Sequence, residues 1–132
     1  MAGPVYLPHV HIYVNFVMRE ILFYTSAKGR SPIEEFLDSL SPKQARKVTW
    51  VMTLVETLEF VPTKYFKKLE GAKGIWEIRV DQGGDTFRLL GFLHMGNLVV
   101  LTNGFVKKSQ KTPDGEIELA ERRKADYLAR NN

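Results

Sequence analysis

The 132-residue sequence predicts an α+β domain in which two N-terminal helices and a C-terminal helix pack on a small twisted antiparallel sheet. Three observations predict it. Ser31-Pro32 and Ser41-Pro42 each open a run with apolar residues at three- and four-residue spacing. From Lys67 the apolar period changes to two and holds through three successive segments. The last stretch, residues 113–130, returns to a helical pattern.

Taken in order, residues 1–17 carry no charge, two prolines and no clean period. They read as an N-terminal extension or an upstream start, with one domain over residues 18–132. His9 and His11 are two imidazoles without a third ligand nearby, so an extended strand is expected there rather than a metal site. Arg19 to Tyr24 reads as a short apolar strand. Ser31 is an N-cap, Pro32 occupies the first helical position and Glu34 the capping-box position. Ile33, Phe36, Leu37 and Leu40 then mark one helical face. Ser41-Pro42-Lys43-Gln44 repeats that start, Ala45, Val48, Met52, Val55 and Leu58 follow on one face, and Pro62 ends the run. Ile75 to Asp81 alternates, with Trp76, Ile78 and Val80 on one side and Glu77 and Arg79 on the other. Gln82-Gly83-Gly84-Asp85 has the composition of a tight hairpin turn. Thr86 to Leu93 and Leu98 to Phe105 complete a meander, turned at Met95-Gly96-Asn97, with His94 in or beside that turn. The final helix sets Ile117, Ala120 and Tyr127 on one side.

Composition narrows the chemistry. The chain has no cysteine, which excludes disulfides, thiolate nucleophiles and Cys-ligated zinc and fits a reducing compartment. No apolar run approaches the ~20 residues needed to span a bilayer, and the N-terminus lacks a signal-peptide pattern. No membrane and a cytoplasmic location are expected. The net charge of +4 lies entirely in residues 64–132, where thirteen Lys/Arg face nine Asp/Glu. A basic half on a small domain points toward a polyanionic partner.

The richest segment is Asn103 to Pro113, NGFVKKSQKTP. A buried apolar strand runs into Lys107, Lys108 and Lys111, accompanied by the hydroxyls of Ser109 and Thr112 and the amide of Gln110. Lysine offers a mobile point charge and the polar groups offer positioning hydrogen bonds, a combination suited to phosphate. Arg88, just after the tight turn, can lie beside Arg79 across the hairpin, while Lys67 and Lys68 approach the start of the alternating strand. These residues are expected to share an exposed concave basic face with one carboxylate, Glu77. Without a histidine or a metal constellation there, phosphate chemistry would rest on Arg and Lys, with proton transfer falling to Glu77, a lysine or an arginine-stabilised phosphate. No cofactor is expected.

Several motifs together resemble the RelE/ParE superfamily of toxin–antitoxin toxins, in its HigB-like, phage-related branch. They are GRSPIEEFLDSL at residues 29–40, KLEG at 68–71, GIWEIR at 74–79, FRLL at 87–90, GFVKKSQKTP at 104–113, and Glu116-Ile117 with Ala120 and Arg123. The resemblance spans about 110 residues from Met18 onward and leaves out the leading 17. It implies a RelE-like fold and an mRNA interferase that cuts messenger RNA at the ribosome and halts translation. In such enzymes the RNA's own 2′-hydroxyl attacks the adjacent phosphate, so the protein needs no nucleophile or metal. Carried over, Arg88 matches the family's phosphate-stabilising arginine, Arg79 a basic site residue on the preceding strand, and Lys107 or Lys108 the cation after the last strand, while Glu77 stands where some relatives have a basic residue. With the basic face read from the residues, the expected catalytic set is Arg79, Arg88, Lys107, Lys108 and Glu77, and the expected RNA-binding set is Lys67, Lys68, Lys111, Ser109 and Gln110. The partners implied are a cognate helix-turn-helix antitoxin, mRNA and the ribosome. The alternatives are a ParE-like gyrase poison without nuclease activity and a non-catalytic nucleic-acid-binding module.

Overall fold

The computed structural model describes residues 2–7, 10–15 and 17–131, with side chains from Val17 to Asn131. His9 and the side chain of His11 lie outside the described residues. The elements run β1 (Ala2–Leu7), β2 (Val10–Asn15), β3 (Glu20–Phe23), α1 (Pro32–Asp38), α2 (Pro42–Thr57), β4 (Phe66–Lys68), β5 (Ile75–Gln82), β6 (Asp85–His94), β7 (Leu98–Val106) and α3 (Asp114–Arg130). β1 and β2 form a two-stranded antiparallel sheet. The other strands form a five-stranded sheet in the order β3-β7-β6-β5-β4. No described helix is long and apolar enough to cross a membrane.

Local chemistry explains the helix starts. The Ser31 hydroxyl accepts from the Glu34 N–H at 3.3 Å. Ser41 and Gln44 form a reciprocal capping box, at 3.2 and 2.9 Å. α2 stops at Thr57, short of Pro62, where Leu58 turns extended while its N–H still donates to the Leu54 carbonyl. The Arg19 guanidinium donates to the carbonyls of Val55, Leu58 and Glu59, all at 2.9 Å, which would otherwise lack partners at a helix C-terminus.

The sheet is mixed rather than wholly antiparallel, which corrects the sequence reading. β3 runs parallel to β7, with Glu20 opposite Leu98 and Phe23 opposite Leu101. Parallel neighbours need a long crossover, and here α1, α2 and three strands intervene. A three-residue edge strand, β4, also adds to β5.

One sheet face packs on α1 and α2, joining Ile33, Val48, Val51 and Val55 to Ile78, Val80, Phe87, Leu89, Val99 and Leu101. The other face receives α3. Ala120 and Ile117 meet Ile75, Leu90 and Phe105, and Tyr127 meets Phe92 and Val100. The Tyr127 ring also stands edge-on to His94, centroids 5.5 Å apart, so that histidine is a packing partner rather than a solvated turn residue.

β6 and β7 slip register between Leu90 and Gly91. Leu90 pairs Asn103 and Gly91 pairs Leu101, leaving Thr102 as the extra residue of a bulge. The bulge reverses which side chains of β7 face α3. Before it Val100 does; after it Asn103 and Phe105 do, while Gly104 lies against the Phe36 ring on the opposite face. Gly91 sits against the Val100 carbonyl, where a Cβ has no room. Gly91→Ala is therefore expected to lower unfolding free energy by about 1–3 kcal/mol, as overpacking does, measurable by urea denaturation.

Candidate functional site

The β5–β6 turn carries Gly83 at φ 60° and Gly84 at φ 87°, the left-handed pair that a two-residue hairpin favours. The turn fixes the register that sets Arg79 opposite Arg88. Both arginines share the α3-facing side of the sheet, but α3 covers only the Ile75, Leu90 and Phe92 end. The hairpin end stays open, and a cleft of about 500 Å³ forms there. Arg79, Arg88 and Thr86 make its floor, and Lys107, Lys108, Ser109 and Gln110 its wall.

The bulge decides how the lysines enter. In phase with Asn103 and Phe105, Lys107 comes over the arginines, and its N–H extends the ladder to the Thr86 carbonyl at 2.7 Å. Partial burial lowers the Lys107 pKa from the usual lysine value, the Arg88 charge lowers it further, and Glu77 opposes both. Lys108 is exposed at the rim.

Glu77 and Arg88 are not on an exposed face, contrary to the sequence expectation: they are 2% and 5% exposed. Glu77 Oε1 stands 3.4 Å from both Arg79 Nε and Arg88 Nε. Its Oε2 accepts from the Thr112 hydroxyl at 2.6 Å. Arg88 Nη1 donates to the Phe87 carbonyl at 3.0 Å and lies 3.9 Å from Asp81 Oδ1. Burial lowers the Arg88 pKa and the Glu77 charge counters it. Neither arginine Nε–H completes a hydrogen bond within the protein. The carboxylate thus lies beneath the cleft as a counter-ion, with three cations, Arg79, Arg88 and Lys107, around it.

The remaining candidates divide. Ser109 and Gln110 line the cleft, although the Ser109 hydroxyl donates to the Lys111 carbonyl at 2.8 Å and so shapes its own loop. Lys111 turns away to Asp114, 3.4 Å distant and exposed. Lys67 and Lys68 are not brought to the cleft. They line a second groove of about 510 Å³ with Phe60, Phe66 and Trp76. Lys67 is held opposite Glu77 in the β4–β5 register, at the sheet edge. Thr112 was expected to face phosphate; it is 7% exposed and turned inward to Glu77. Its inward role had no signal beyond its place at the end of a polar loop before Pro113.

Chemically, the cleft can take an anion with two oxygen ligands held by guanidinium forks and an ammonium. Among the described residues no group of three or more His, Asp or Glu could hold a metal ion.

Residues 35–125 match the family described as "Phage derived protein Gp49-like (DUF891)". That span contains Glu77, Arg79, Arg88, Lys107, Lys108 and Thr112. No curated protein matches the chain. The match covers well over half of the sequence, and the chain belongs to the phage-derived Gp49-like family, a member of the RelE/ParE-like toxin superfamily.

Proposed function

We propose that this chain is the toxin of a toxin–antitoxin pair, a HigB-like, metal-independent mRNA interferase that cuts messenger RNA at the ribosome in the cytoplasm. Residues 18–132 form its RelE-type domain and residues 1–17 an extension. The observation that carries the reading is the convergence of Arg79, Arg88 and Lys107 on one open cleft over a buried counter-ion. Family membership supports the toxin class and an antitoxin partner. A helix-turn-helix protein is the partner proposed.

The chemistry follows from the charges. A scissile phosphate in the cleft meets the forks of Arg79 and Arg88, which hold the negative charge that grows as the neighbouring 2′-oxygen bonds to phosphorus. The 2′-hydroxyl proton passes to water, the bond to the 5′ oxygen breaks, and that oxygen takes a proton. Lys107, over the arginines and with a lowered pKa, is placed to give it. The products are a cyclic phosphate and a free 5′-hydroxyl. Glu77, enclosed by Thr112 and both arginines, holds the cations in place instead of reaching substrate.

Induced expression should arrest growth and protein synthesis, and co-expression of the neighbouring antitoxin gene should restore both. Transcripts sampled within minutes should carry new 5′-hydroxyl ends while chromosomal DNA stays intact. Gyrase-linked DNA breaks with full-length transcripts would overturn the nuclease reading in favour of a ParE-like poison.

A further inference from the structure

We propose that Thr112 is a positioning residue of the cleft: its hydroxyl latches the lysine-bearing loop onto Glu77 and thereby fixes both the loop and the two arginines. The inference rests on the nuclease reading for its kinetic consequence and on geometry alone for its structural one. Glu77 is a buried carboxylate whose two oxygens have divided duties. Oε1 faces the two guanidinium groups, and Oε2 takes the Thr112 hydroxyl at 2.6 Å. An O–H donated to a carboxylate at that length is a charge-assisted bond, roughly twice as strong as a neutral one.

The chain on either side makes this bond consequential. Lys107 closes the sheet ladder on Thr86 at 2.7 Å, so one end of the loop is pinned. After Thr112, Pro113 begins α3 as its N-cap, and its carbonyl accepts from Glu116 and Ile117. Between these points Lys108, Ser109 and Gln110 form the cleft wall. Thr112 is the side chain that ties this stretch down to the floor on which Arg79 and Arg88 stand. Without its hydroxyl, Oε2 is left buried and unpaired, a state costly enough that the carboxylate turns toward the remaining donors. Those donors are the arginines, so their forks rotate inward and out of line with a phosphate. One oxygen thereby links the loop's position to the arginines' orientation.

The test compares Thr112→Val, which keeps the shape and deletes the hydroxyl, with Thr112→Ser, which keeps the hydroxyl. Two readouts are taken on the full chain: cleavage kinetics on a defined mRNA in a reconstituted translation reaction, and the arginine Nε–H signals in nitrogen-15 NMR spectra. Thr112→Val is expected to lower kcat about tenfold or more with KM nearly unchanged, as misplacement of a positioned group does. It should also shift the Nε–H signals of Arg79 and Arg88. Thr112→Ser should keep both near wild type. Wild-type kinetics in Thr112→Val, or lost activity with unmoved arginine signals, would overturn the latch. If Thr112→Val does not fold, Thr112→Ser decides alone, since a loss of kcat there would show that the hydroxyl is not what matters. If the wild-type chain cleaves no RNA, the nuclease reading fails, and the arginine signals of the two variants still decide whether the latch exists.

Discussion

Arg88→Lys should cut the rate of RNA cleavage on the order of 10²–10³-fold, the usual cost of removing a preorganised donor to a developing charge, while the domain stays folded. Lysine keeps the positive charge beside Glu77, so the buried carboxylate is not left without a counter-ion. It cannot reproduce the planar fork, and it has no group in place of the Nε–H that faces Glu77 at 3.4 Å. Arg88→Ala should be at least as inactive but harder to interpret. Arg88 is 5% exposed, so its removal also opens a hole beside a buried carboxylate. Cleavage rate and thermal unfolding measured on both variants separate the two effects. An Arg88→Lys protein retaining half of the wild-type rate would move the phosphate site away from the β5–β6 hairpin.

Glu77→Ala should be the most destabilising single change at the site. Removing one partner from a buried ion pair commonly costs about 3–5 kcal/mol, because the other charge stays behind without compensation. The lower end of that range is expected, since Arg79 is about a third exposed and can take up water. Arg88, with a side chain only 6% exposed, takes up far less. Glu77→Gln should lose less, as the amide oxygen still accepts from Thr112, though the charge that holds the arginines is gone. Urea unfolding of the two variants should therefore rank them wild type, Gln, Ala. A Glu77→Ala protein as stable as wild type would mean that the carboxylate is not the counter-ion that its position implies.

Features coded by neighbouring residues were legible in the sequence. The two Ser-Pro helix starts depend on side chains three residues away, and the arginine pairing across Gly83-Gly84 follows from a two-residue turn. Four features were not legible, each because the deciding partner lies outside the local stretch of sequence. Alternation in β5 puts Glu77 on the polar side, and polar normally means solvent. Nothing local reveals that Thr112, 35 residues away, encloses it. The bulge at Thr102 shifts the phase of β7, so a period of two carried through from Val100 selects Lys108 where the fold selects Lys107. The four residues of β3 have the composition of a strand, but nothing in them specifies a parallel partner. Lys67 and Lys68 looked like part of the basic face because they precede β5 closely. As a short edge strand they go instead to a groove lined by aromatic side chains.

The parallel seam between β3 and β7 also bears on the order of folding. β3 is the first strand of the five-stranded sheet to be synthesised, and its sole strand neighbour there, β7, is the last. Closing so long a loop adds little free energy, since each doubling of loop length costs only about 0.6 kcal/mol, but it makes the pairing slow relative to local contacts. Until residue 98 is available, β3 has no ladder to join and β6 has a bare edge. The same late strand leads directly into Lys107. Completion of the sheet and delivery of the third cation to the cleft are therefore a single event, and a chain halted before β7 would lack both the sealed edge and that cation.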